Sequence, residues 1–178
     1  MPLFLATLFP GLLLLGIGGL LLGKQKVVTQ LRSILRSKTL TLLTLIAAMA
    51  WLLWHVAHLG QADFGQYKSI LMVGFATIAL LSWFFLPDFL LVRMGSILTL
   101  LVSWVLLKAA YMEWDYPSRL WMVALVYCCV VLALYFAVVP YRMRDFLDWL
   151  IAKQLRVRAT GLLFSLYGGL LCGVAFSY

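Results

Sequence analysis

Two histidines, His55 and His58, and three cysteines, Cys128, Cys129 and Cys172, are the side chains in this chain best suited to bind a metal or macrocycle. The histidines lie three apart, a spacing that puts them on one side of a helix, next to Trp51 and Trp54. Either imidazole could serve as axial ligand to a haem or to a chlorophyll-type magnesium. One helix cannot present both to opposite faces of one macrocycle, so bis-histidine ligation would need a second copy of the chain. The plainer expectation is a pair of structural histidines near the end of a span. Adjacent cysteines such as Cys128-Cys129 rarely bridge each other. No Cys-x-x-Cys or mixed Cys/His spacing accompanies them, so packing is the expected role of all three.

Other chemistry lacks its residues. There is no phosphate loop, no Gly-x-Ser-x-Gly and no His-Glu-x-x-His. The chain has 178 residues, of which 65% are hydrophobic and 11% charged, with a mean hydropathy of +1.05. A water-soluble domain of this size needs far more polar surface, so the bilayer must be the main solvent. At about 20 apolar residues per span, the length suits an all-α polytopic fold in a single domain, 1–178.

Six spans are expected: Leu3–Gly23, Leu40–Ala57, Ile70–Leu86, Phe89–Leu107, Leu120–Val139 and Ala159–Tyr178. The opening Met1-Pro2-Leu3-Phe4 has no basic stretch or cleavage site, so the first span is expected to be retained. The central two turns of every span lack Asp, Glu, Lys, Arg, Asn and Gln. Ionisable groups inside a membrane mark relays, ion pathways and catalysis. Their absence leaves no positive argument for an enzyme.

The basic residues set the expected topology. Of 14 Lys and Arg, eleven fall on one side: Lys24, Lys26, Arg32, Arg36 and Lys38, then Arg93, then Arg142, Arg144, Lys153, Arg156 and Arg158. Lys68, Lys108 and Arg119 fall on the other. By the positive-inside rule the eleven face the cytoplasm and both termini face outward. The net charge of +8 then reads as attraction to anionic head groups and not to nucleic acid. Within the Leu86-Pro87-Asp88 turn, Pro87 ends one helix and Asp88 is suited to cap the next. Arg93, about one turn inside that next helix, is placed to snorkel to the head groups. Arg36 and Arg158 stand comparably before apolar runs, and the whole reads as three hairpins turning on the cytoplasmic side.

The two long connectors carry helical periodicity. Val27, Val28, Leu31, Ile34 and Leu35 mark the first; Met143, Phe146, Leu147, Leu150 and Ile151 mark one face of the second. Both read as amphipathic helices in the head-group layer. On the outer side, Pro117-Ser118 reads as a helix start. Gly19-x-x-x-Gly23 and Gly169-x-x-x-Gly173 are small-residue patterns for close helix packing, inside the chain or against another chain; Gly11, Gly16, Gly18, Gly161 and Gly168 extend them.

From Val139 onward, Pro140, the basic connector, Leu155-Arg156-Val157-Arg158, Gly161 and Gly168-Gly169 follow in an order that resembles uncharacterised bacterial multi-pass inner-membrane proteins built from transmembrane hairpins. The resemblance implies a bacterial inner membrane and supplies no site. Three functions remain: a non-catalytic subunit packing with or stabilising a larger membrane assembly, a small carrier or channel for a neutral or lipophilic solute, and a pigment- or haem-holding subunit.

Overall fold

The computed structural model describes residues 2–23, 37–60, 64–85 and 89–178. These residues form helices and turns with no strand among them. Six helices are long and apolar enough to cross a bilayer: α1 (Leu3–Gly23), α2 (Lys38–Ala57), α3 (Lys68–Phe85), α4 (Leu90–Ala110), α5 (Leu120–Val138) and, after a short helix α6 (Tyr141–Ile151), α7 (Gln154–Ala175). The protein is an all-α polytopic membrane protein. The apolar runs form helices because a helix alone pairs its own backbone where water is absent.

Helix ends depart from the sequence reading where local hydrogen bonding outweighs hydropathy. α7 begins at Gln154 and not Ala159, because its first turn stays helical while carrying Arg156 and Arg158. α4 runs on to Ala110, three residues past the apolar stretch, and includes Lys108. α2 begins at Lys38, where Ser37 accepts from the Leu40 amide at 3.4 Å and its carbonyl accepts from the Thr41 hydroxyl at 2.9 Å. Before α5, Pro117–Arg119 forms a 3-10 turn and Ser118 is not the cap. The proposed cap Asp88 and the first amphipathic connector lie outside the described residues, as do Lys24, Lys26, Arg32 and Arg36.

α1 and α7 pack antiparallel along their length. Buried Leu3 and Ala6 cluster with Leu171, and Leu21 with Val157, at opposite ends of the pair. The Thr7 hydroxyl, fully buried, donates to the Leu3 carbonyl at 3.1 Å and lies 3.4 Å from the Tyr178 hydroxyl. Leu106 and Ala110 of α4 and Met122 and Val126 of α5 complete the cluster around Leu3. α2 runs parallel to α4, joined by Leu45, Ala48, Leu90 and Met94; α3 touches this pair through Ala79 and Trp83. The ends of α1 and α3 and the starts of α2, α4 and α7 therefore share one side. The short helix α6 lies on that side too, with Leu150 against Leu21 and Val157, and the Arg144 guanidinium 5.8 Å from the Phe89 ring at the start of α4. The helix ends that the first two connectors join, and the described connector between α5 and α7, all lie on this side.

Candidate functional site

The α1–α7 contact is closed by glycine, but not by the pairs that the small-residue pattern suggested. Gly11, Gly18, Gly161 and Gly168 are buried. A Cβ on Gly18 would collide with the Ser165 hydroxyl and lie 2.7 Å from the Gly161 carbonyl oxygen; one on Gly168 would lie 2.8 Å from the Gly11 carbonyl oxygen. Gly19, Gly23, Gly169 and Gly173 are exposed, and a Cβ on any of them meets nothing within 4 Å among the described residues. A four-residue step does keep two glycines on one face, but on each helix that face points away from the partner. The signal that locates the seam is a seven-residue step, two full turns, present in both helices.

His55 and His58 have separate surroundings. His55 Nδ1 lies 3.0 Å from the Trp51 carbonyl oxygen, and His58 Nδ1 lies 2.8 Å from that of Trp54. A carbonyl only accepts, so in the neutral ring each Nδ1 bears the proton and each Nε2 the lone pair. His58 is exposed and lies over Trp54, with ring centroids 4.2 Å apart. His55 is half-buried and meets Trp104 of α4 edge-on at 5.1 Å, and Lys108 covers that indole at 5.2 Å. Leu52, His55, Ile97, Leu100, Leu101 and Trp104 line an open cleft of about 370 Å³ between α2 and α4. Its lining is apolar apart from the histidine. No group of three or more His, Cys, Asp or Glu able to hold a metal occurs among the described residues. The cysteines are free: Cys128 is exposed on α5, and the Cys172 sulfur lies beside Gly11.

The basic side carries the second concentration of chemistry. α6 turns Leu147 and Leu150 inward, while Phe146, expected on the same apolar face, is 45% exposed. A step of four from Phe146 to Leu150 is one turn, yet the helix is anchored through Leu147 and Leu150, leaving Phe146 at the edge. There it stacks on Trp149, with centroids 6.1 Å apart and planes 24° apart. Arg156 lies over Trp149 at 4.3 Å and donates from Nη1 to the Trp149 carbonyl at 2.8 Å, satisfying the end of α6. Arg142 lies 5.8 Å from the Tyr141 ring, and Arg144 is 3.6 Å from Asp145 in an exposed pair. Arg158 is exposed. Arg93 occupies the first turn of α4, and its Nε is buried with no acceptor among the described residues.

On the opposite side, Arg119 donates from Nη1 to the Ala110 carbonyl at 2.6 Å and covers Trp114 at 4.7 Å. It closes the end of α4 from the start of α5, a link across nine residues that periodicity does not reveal. Comparisons with family models, with curated proteins and with solved structures returned no match for this chain.

Proposed function

We propose that this protein is a non-catalytic subunit of a larger membrane assembly, which it packs against or stabilises. The observation that carries the reading is the position of α3. This helix is attached to the bundle along one edge, at α2 and the start of α4; Ala79 is its only buried residue, and it turns Ile70, Val73, Ile78, Leu80, Phe84 and Phe85 outward. Lipid tails cover such a face, yet a helix attached by one edge contributes little to its own bundle and is well placed for a neighbour. The outward pairs Gly19/Gly23 and Gly169/Gly173 support the same reading, since a Cβ on them meets nothing among the described residues and they allow close approach by another helix. The excess of Lys and Arg argues for the basic side in the cytoplasm and both termini outside, and the resemblance of the last third of the chain to bacterial inner-membrane proteins supports that membrane.

The test is purification in mild detergent, followed by native mass spectrometry and cross-linking from α3. A stoichiometric membrane partner is expected, and its loss is expected when Gly19 and Gly23 are both changed to Leu. A lone monomer under these conditions would sink the reading.

A carrier for a lipophilic solute is the second reading, favoured by the cleft between α2 and α4. The cleft is open and almost wholly apolar, which suits a lipophilic solute. The Nε2 lone pair of His55 also keeps the pigment- or haem-holding reading chemically sound. An absorption band beyond the Trp and Tyr region in purified protein would favour it, and vesicles without solute flux would dispose of the carrier.

A further inference from the structure

Between Leu147 and Leu150, which fasten α6, and its water-facing side runs a stripe formed by Arg142, Phe146 and Trp149. Their steps of four and three place them along one flank of the helix. The two rings stack, and both are about half exposed at 45% and 52%. Arg156 closes one end, fixed over Trp149 by its bond to the Trp149 carbonyl. Arg142 stands at the other end, about 10 Å away by the helical rise. Of the carboxylates on α6, Asp145 is engaged by Arg144, and Asp148 has an interaction of its own. Because α6 joins the ends of α5 and α7, both long and apolar enough to cross a bilayer, this flank is expected at head-group depth.

Two guanidinium groups with a stacked aromatic pair between them match one chemistry. Guanidinium takes phosphate oxygens as a planar fork. Indole and phenyl rings at the membrane boundary lie against glycerol and the first methylenes of an acyl chain. We propose that the Arg142–Phe146–Trp149–Arg156 flank of α6 is a binding site for an anionic phospholipid, its phosphate held by Arg156, its upper acyl chain lying on the two rings and the charge of Arg142 adding to the attraction from the far end. The inference deepens the reading that this side meets anionic head groups, and it holds whether or not a protein partner exists. Arg156 has a double role: one nitrogen completes α6, and the rest of its fork faces the lipid.

The test uses the full chain, delipidated in detergent and titrated with phosphatidylglycerol or phosphatidylcholine, with bound lipids counted by native mass spectrometry. Phosphatidylglycerol should be retained in preference. Replacing both arginines (R142Q with R156Q) should lower that preference about 30-fold, from roughly 1 kcal/mol per basic residue at a membrane surface. Phe146→Ala with Trp149→Ala should weaken retention while leaving both charges in place. The charge-matched control, Lys153→Gln with Arg158→Gln, removes the same charge away from the stripe and should leave the preference intact. If R156Q disturbs α6, R142Q alone and R156K supply the readout, each lowering retention in a chain whose circular dichroism is unchanged. Equal retention of both lipids overturns the proposal. So does an equal loss in the control pair, which would mean diffuse surface charge. Displacement by inorganic phosphate or glycerophosphoglycerol as effective as by the intact lipid also overturns it, because the rings would then contribute nothing.

Discussion

Single atoms decide the tightest contact in this protein. At Gly18 a methyl group would press on the Gly161 carbonyl oxygen and the Ser165 amide, both 2.7 Å away and both backbone, so neither can move independently of its helix. Gly18→Ala is therefore expected to destabilise the bundle by about 1–3 kcal/mol, in the range of other overpacked sites. Gly19→Ala, one position along and open to its surroundings, should be neutral or slightly stabilising, since Ala is the better helix former by about 1 kcal/mol. Reversible unfolding in mixed detergent, followed by circular dichroism, separates the two. A second prediction concerns Arg119. Arg119→Met removes a charged donor from the Ala110 carbonyl and should lower stability by about 1.5–3 kcal/mol; Arg119→Lys should recover part of it. Equal stability of Met and Lys variants would show that the stem, not the charge, holds α4 to α5. Such details were hard to foresee. Both glycine spacings were present in the sequence, but choosing between four and seven requires knowing which side of α1 meets which side of α7. Trp104 beside His55 was equally hidden, because 49 residues separate two side chains that only the parallel packing of α2 and α4 brings together.

At the scale of elements, the apolar runs were legible because each is long enough to span and is bounded by charge or proline. Their ends were less so. Hydropathy falls at Ala159 while the backbone hydrogen bonds of α7 begin at Gln154, so a polarity pattern mistakes a helical, arginine-bearing turn for connector. α6 was expected from its periodicity and is present, although its anchor is narrower than the five residues that its pattern suggested. Leu150, 4% exposed against Leu21 and Val157, is the side chain that fastens it. Leu150→Ala should destabilise the protein by about 2–4 kcal/mol and speed amide exchange across Tyr141–Ile151. Phe146→Ala, at the exposed edge, should leave that exchange unchanged. Similar exchange in the two variants would mean that α6 is held mainly by the Arg156 bond at its end.

For the whole molecule, hydropathy made the number of spans legible and charge predicted their common side. Which helices touch was not legible, because lipid-facing and helix-facing positions are alike apolar in a membrane and the alternation that marks a soluble core is lost. Sidedness is the direct check. In a chain with its three native cysteines replaced, single cysteines at Lys38, Arg144 and Lys153 should react with an impermeant reagent from the same side, and one at Glu113 from the other. Labelling of positions 38 and 144 from opposite sides would break the hairpin arrangement. Co-purification belongs to this scale also: Gly19→Leu with Gly23→Leu should leave the bundle folded and reduce recovery of a partner.

The pairing of α1 with α7 also has a consequence in time. The Thr7 and Tyr178 hydroxyls that meet at its end are 171 residues apart in sequence. At ribosomal speeds of about 5–20 residues per second, the earlier helix waits roughly 10 to 30 s in the bilayer before its mate is made. Throughout that interval its bare glycine groove is exposed to whatever else the insertion machinery holds nearby.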